Sequence, residues 1–218
     1  MNAIWTEYLP IFLGAFSALL PLINPIGTAL IIQPYFHGLN DAERKRYAFG
    51  IAVNCFVLGV VTLHIGHWIL KFMGVSIPAT QTAGGIVIAF LGYGLLNNPQ
   101  KSASEARTAT TDIASSTFYP LSFPLTVGPG SVSTLIALSA NANKGEERLF
   151  SVSLIVISLA LFINLAAAYF CFTHSNKISR RIGATGNEVI NRLLAFLVFC
   201  IGIQMEFKGV MGLIKLSA

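Results

Sequence analysis

Charge is what this sequence has least of. Asp, Glu, Lys and Arg make up 11% of its 218 residues, 54% are hydrophobic, and the mean hydropathy is +0.69. A soluble domain carries about 25% charged residues, because its surface must be solvated. With less than half of that, the chain cannot clothe a water-soluble globule. A soluble enzyme, a disordered tail and a nucleic-acid binder all run against this composition. Cysteine is scarce as well. Cys55, Cys171 and Cys200 fall inside apolar stretches and form no Cys-x-x-Cys pair. A redox couple or a zinc ribbon is therefore unsupported, and no metal or cofactor is expected. Catalytic patterns are missing too: there is no His-Glu-x-x-His, no Ser-x-x-Lys and no paired Asp within an apolar stretch. An enzyme would need such an acid–base or nucleophile–base pair, so none is expected. The start, Met1 to Glu7, has no basic segment, so no cleaved signal peptide is expected either.

What the sequence does have is long apolar runs. Crossing the hydrocarbon core takes about 20 helical residues. Uncharged stretches run over 8–40, 47–70, 72–100, 113–143 and 149–176, and each can hold one helix. A sixth apolar segment, about 189–214, has Arg192 near its start and Glu206 and Lys208 toward its end. Arg192 and Lys208 are 16 residues apart, roughly 24 Å of helix, so they can snorkel to opposite interfaces. The expectation is an all-α polytopic membrane protein with six transmembrane helices, a single domain over 1–218 embedded in a lipid bilayer. A net charge of +5 and a pI of 9.3 would suggest nucleic acid for a soluble protein. Here the charges sit in short interruptions and set orientation instead. Arg44, Lys45, Arg46, Lys101, Arg107, Lys177, Arg180, Arg181 and Arg192 fall on one side. Lys71, Lys144, Arg148, Lys208 and Lys215 fall on the other. Nine against five places both termini outside the cytoplasm.

Two places interrupt the helical pattern. The first span contains Pro21-Leu22-Ile23-Asn24-Pro25-Ile26-Gly27-Thr28, and the fourth contains Pro120 and then Pro124-Leu125-Thr126-Val127-Gly128-Pro129-Gly130-Ser131. Pro25 and Pro129 are 104 residues apart, and the same offset carries Glu43-Arg44 onto Glu147-Arg148. Ala89-Phe90-Leu91 and Ala195-Phe196-Leu197 match at an offset of 106. The chain reads as two halves of three spans, 1–100 and 113–218, joined by a Ser-, Thr- and Ala-rich cytoplasmic linker over 101–112. An odd number of spans per half forces the halves into opposite orientations, giving an inverted repeat with broken helices one and four.

Ordinary proline kinks would explain either cluster alone. Matching clusters in two inverted halves point instead to a substrate site near the midplane. Non-helical backbone survives at membrane depth only inside protein or beside a watery cavity. A broken helix exposes amides that favour a carboxylate and carbonyls that accept from an ammonium group. The expected substrate-binding residues are Pro21, Asn24, Pro25, Gly27, Thr28, Gly128, Pro129, Gly130 and Ser131. None is charged, so a small neutral amino acid suits them.

These stretches, with Ser76-Ile77-Pro78, Ala83-Gly84-Gly85-Ile86-Val87-Ile88-Ala89-Phe90 and Arg192-Leu193-Leu194 leading to Gln204, resemble the MarC family of bacterial inner-membrane proteins. The resemblance spans nearly the whole chain. It implies a multi-pass inner-membrane location and six helices in two inverted halves. It also implies relatedness to proton-coupled transporters of small neutral amino acids such as glycine and alanine. This chain has Asn24 where many members carry Asp, and Gln81 where the third span carries Arg, so both sites lose a charge.

Coupling protons have only peripheral candidates, Glu206 and His64. His64 and His67 lack an acidic neighbour and a third ligand, and an interfacial packing pair is their plainer reading. Glu206 lies close to Lys208 and the end of its span, which suits an interfacial position. Asn54 and Asn164 are candidates for bonds between helices, and Glu188 with Arg192 for an i,i+4 ion pair. Secondary transport by alternating access is the leading expectation. An exporter or channel for another small solute, or a structural membrane subunit, are the alternatives, but a channel would normally show a ring of charged or polar residues. Substrate, direction and oligomeric state are left open by the residues. The basic asymmetry makes one firm prediction: a reporter active only in the cytoplasm, fused after Ala218, is expected to stay silent.

Overall fold

A computed structural model describes residues 2–97, 116–142 and 147–217. The expected linker 101–112 lies outside the described residues. Within them the chain is helical throughout. α1 spans Asn2–Ile23 and α2 Pro25–Ile32, followed by a short 3-10 turn, Gln33–Phe36. α3 spans Asp41–Phe72 and α4 Ile77–Asn97. A wide-wound segment, α5, covers Thr117–Thr126, and then come α6 (Pro129–Ala142), α7 (Glu147–Thr173) and α8 (Ser175–Ser217).

Four stretches are long and apolar enough to cross a bilayer: Tyr8–Phe36, Asp41–Gly66, Phe150–Thr173 and Glu188–Leu216. The pair Thr117–Thr126 and Pro129–Ser139, bent by 63°, makes a fifth if taken as one span. The remaining expected crossing, 72–100, contains α4, which is long enough at 21 residues. Thr80, Gln81, Thr82, Gly84 and Gly85 dilute its apolar content.

Local chemistry sets the boundaries. Asn40 accepts from Glu43 N at 2.9 Å while the Glu43 carboxylate accepts from Asn40 N at 3.0 Å. This reciprocal cap starts α3 six residues before the expected span and winds Arg44, Lys45 and Arg46 into its first turns. Ser76 Oγ accepts from Ala79 N at the start of α4, just after Gly74 turns the chain at φ 69°. The loop expected between spans five and six proves largely helical, with Lys177 and Arg181 inside α8. His174 separates α7 from α8, and Gly183, at φ 75°, redirects the backbone before the apolar run begins. Few residues other than glycine adopt that conformation cheaply. The expected Glu188–Arg192 pair forms, at 2.8 Å.

α1, α2, α3, α5, α6 and α7 share one core. Ala160, Leu161, Asn164, Leu165, Ala168 and Phe172 form its buried seam on α7. Asn164 donates to Ala160 O at 3.0 Å and to Phe16 O of α1 at 3.4 Å, the interhelical bond expected of it. On the outer side of α3, Val53, Val57, Val61, Ile65 and Ile69 recur every fourth residue and are exposed, a face suited to lipid. Lys71 lies 5.7 Å from the Trp68 ring centroid near the end of that helix, the aromatic–basic pairing of a membrane interface.

α4 and α8 contribute nothing to this core and pack chiefly on each other. A methyl group built on Gly85 would fall on the backbone of Glu206, and one on Gly202 on that of Ala89. One on Gly92 would lie 2.5 Å from Phe199 N. The pairing runs antiparallel, and Gly85 and Gly92 on α4, like Gly202 and Gly209 on α8, are seven residues apart. Two helical turns therefore return a glycine to the contact, and the backbones approach closely. Gly85→Ala is expected to lower stability by about 1–3 kcal/mol through overpacking. Gly94→Ala, where nothing lies within 4 Å of the added carbon, should not lower it and should raise it by up to about 1 kcal/mol through helix propensity. Unfolding in detergent micelles measures both.

Candidate functional site

Proline makes both breaks by lacking an N–H. Pro25 cannot donate to the carbonyl of Pro21, and Pro129 cannot donate to that of Leu125. These two carbonyl residues are themselves 104 apart. At the first break Asn24 is left-handed, at φ 44° and ψ 69°, and its Oδ1 accepts from Gly27 N at 3.3 Å. Thr28 Oγ1 donates to Ile23 O at 2.7 Å, five residues back. At the second break Thr126 Oγ1 donates to Leu121 O at 2.7 Å and Ser122 Oγ to Thr117 O at 2.6 Å, again five back. Tyr119 and Phe123 leave helical geometry, and Val127 N reaches Ser122 O at 3.0 Å. Each hydroxyl satisfies a buried carbonyl that a regular turn would have paired with an amide.

The two breaks meet at one cavity of about 70 Å³. Of the nine residues expected to bind substrate, Pro21, Asn24, Thr28, Gly128, Pro129, Gly130 and Ser131 line it. Pro25 and Gly27 do not. Both are buried within α2, and Pro25 acts through the donor it withholds from Pro21. Leu125 lines the cavity as well, so both carbonyls deprived of a proline donor belong to lining residues. No lining residue is charged. The first amides of α6 belong to Gly130 and Ser131, and position 128, a glycine, offers them no side-chain cap. Such a helix start favours an anion.

The residue pattern missed Val87 and Ile88 of α4 and Val198 and Ile201 of α8, which close the cavity. Apolar residues in apolar helices carry no local signal. Leu125 could have been found as the residue four before a proline. Gly130 is where α6 meets α4: a methyl group there would fall on the Ile88 side chain. Ser133 Oγ donates to Thr80 O at 3.1 Å and ties the same helices together.

The two candidate coupling residues lie elsewhere. Glu206 lines a separate groove beside Phe90, Tyr93 and Phe199. His64 is exposed on α3, its Nδ1 2.9 Å from Val60 O. The side chain of His67 lies outside those described. Among the described residues no three His, Cys, Asp or Glu side chains are grouped to hold a metal ion.

Several apolar crossings around an interrupted backbone and an uncharged cavity define a multi-pass integral membrane protein. The chain matches the MarC family of integral membrane proteins over residues 9–214, and it belongs to that family. It is 31% identical over 204 residues to the UPF0056 inner membrane protein MarC of Salmonella typhimurium, covering 90% of this chain and 92% of the relative. The protein of the same name from Escherichia coli is 30% identical over the same shares, and that from Salmonella arizonae 32% identical over 207 residues, 90% of this chain and 92% of the relative. These relatives support a multi-pass inner-membrane location. No solved structure matches the chain.

Asn24 has two structural tasks, a left-handed backbone and a cap. Asn24→Ala is expected to lower stability by about 1–2 kcal/mol, because alanine resists the left-handed region and caps poorly. Asn24→Gly should cost only a few tenths. Thermal unfolding in detergent distinguishes them, and equal losses would show that the left-handed geometry is not what Asn24 supplies.

Proposed function

We infer that the chain is a secondary transporter, carrying a small neutral amino acid such as glycine or alanine across the inner membrane by alternating access. The observation that carries this reading is the single cavity shared by the two proline-interrupted segments. It supports six crossings in two inverted halves, α1–α4 and α5–α8; the nine-to-five basic asymmetry supports both termini on the periplasmic side. The order of elements agrees: interrupted span, long helix, then a glycine-packed helix, twice over. Asn24 precedes Pro25 as Gly128 precedes Pro129, at the common offset of 104.

The lining chemistry matches a zwitterion of low volume. A buried water needs about 10–15 Å³ of such space, so the cavity of about 70 Å³ holds only a few small groups. The uncapped start of α6 would take the carboxylate. The carbonyls of Pro21 and Leu125 would take the ammonium group, with Asn24, Thr28 and Ser131 as neutral partners. A ligand of net charge would meet no counter-charge. The α4–α8 pair has its own contacts and no share in the main core, so it can rock against the other helices as alternating access requires. Coupling to protons, where present, would fall to Glu206 or His64.

Uptake of labelled glycine and alanine into proteoliposomes, with and without a pH gradient, tests this. Saturable uptake is expected. Gly130→Ala should reduce it about tenfold or more, equivalent to ~1.4 kcal/mol, at unchanged expression. Glu206→Gln and His64→Gln show which of the two, if either, carries the pH dependence. A wild-type protein that moves no neutral amino acid, or a Gly130→Ala variant that transports normally, would return the two breaks to plain helix kinks.

A further inference from the structure

A second cavity, of about 480 Å³, adjoins the first. Pro21, Leu22 and Ile201 line both. Its wall also carries the polar side chains of Gln81, Thr134, Gln204 and Lys208. Gln81 lies near the start of α4 and Lys208 near the end of α8. The cavity therefore runs from the interrupted helices toward the face where α8 ends. Ile201 and Lys208 are seven residues apart, about 10 Å of helix, which is most of half the ~30 Å hydrocarbon core.

Lys208 is the only charged residue in this lining. Among the described residues no carboxylate pairs with it. Glu206, two positions earlier, faces the separate groove beside Phe90 and Tyr93. A lysine ammonium is strongly hydrated, so at membrane depth it needs water or an anion. Snorkelling into the headgroup layer would satisfy it with no cavity. Here it borders one whose inner end is the central site.

We propose that this cavity is the water-filled antechamber of the central site, and that Lys208 at its mouth holds the carboxylate of the incoming amino acid before it reaches α6. This rests on the transport reading above. The division of labour follows from chemistry. An ammonium ion attracts a carboxylate whatever the side chain, while the smaller inner cavity selects by size. A cation placed inside the inner cavity would hold the carboxylate against release, and transport needs binding weak enough to reverse.

Cys200 lines the same cavity and is exposed, so it reports on the antechamber without any uptake. A membrane-impermeant maleimide, added to the full chain in proteoliposomes from the face that carries the C-terminus, should modify Cys200, located by peptide mass spectrometry. Alanine should slow the modification. Lys208→Met should raise both the alanine concentration giving half protection and the KM for uptake from that face by about tenfold, with kcat little changed. Lys208→Arg should restore both. Alaninamide, a cation that lacks the carboxylate, should protect wild type poorly, and Lys208→Met should not weaken that protection. The proposal is overturned if Cys200 resists the reagent from that face, or if Lys208→Met matches wild type in protection and KM while uptake proceeds normally. A wild type that neither transports nor is protected by any neutral amino acid, with Cys200 still reactive, removes the transport reading and this proposal with it.

Discussion

The missing N–H of two prolines is the constraint on which the rest depends. In water an orphaned carbonyl finds a solvent partner, but in hydrocarbon it costs several kcal/mol. Pro25 and Pro129 each withhold a donor four residues back, and the surrounding sequence answers locally. Thr28, Ser122 and Thr126 each reach a carbonyl five residues back. Asn24 adopts the left-handed turn and caps the helix that follows. The carbonyls of Pro21 and Leu125, which lose their donors directly, belong to residues that line a cavity. Irregular backbone at this depth is tolerated only where it borders protein or a watery space, and the interior between the two breaks supplies both.

A second consequence is the division of the helices. Six segments, α7 among them, share a core of large buried side chains such as Phe36, Leu161 and Phe172. α4 and α8 are joined by the absence of side chains, through Gly85, Gly92, Gly202 and Gly209. Van der Waals contact between close backbones is a main source of helix association in lipid, where apolar side chains gain nothing by leaving hydrocarbon. The pair can therefore hold together firmly while resting more lightly on the rest. Its contribution to the cavity, Val87, Ile88, Val198 and Ile201, is a smooth apolar wall, and the hydrogen bonds that tie the pair to other helices, Ser133 to Thr80 and Gln33 to Asn176, lie outside it.

Much of the membrane character and seven of the fifteen cavity-lining residues were legible in the sequence. Prolines with adjacent glycines signal their own disruption, because the effect of a missing donor is local. The Glu188–Arg192 pair and the interhelical role of Asn164 were legible for the same reason: each depends on spacing along one helix or on a lone polar group in an apolar run. The wall formed by α4 and α8 was not, since Val87 and Ile201 look like any other lipid-level residues until the helices are placed. The helix through Lys177 and Arg181 was also hidden. Basic residues mark a membrane face, and they do so equally from a loop or from a helix lying at the interface. Glu206 and Lys208 read as neighbours in sequence, but a two-residue step on a helix turns them toward different cavities.

The two breaks are alike in proline and unlike in the residue before it. Asn24 brings an amide side chain that occupies the Gly27 N–H, whereas Gly128 brings none. An added methyl group at position 128 would lie 2.6 Å from the Pro124 carbonyl, so the crowded backbone there excludes the side chain that could have capped α6. The break that bends by 63° is thus the one whose helix start keeps its amides for something else. Two identical interruptions side by side would offer the cavity the same polarity twice. The difference between Asn24 and Gly128 gives the cavity a direction, with a capped helix start on one side and an open one on the other. That direction comes from one amide side chain and the backbone it caps, with no charged side chain in the lining.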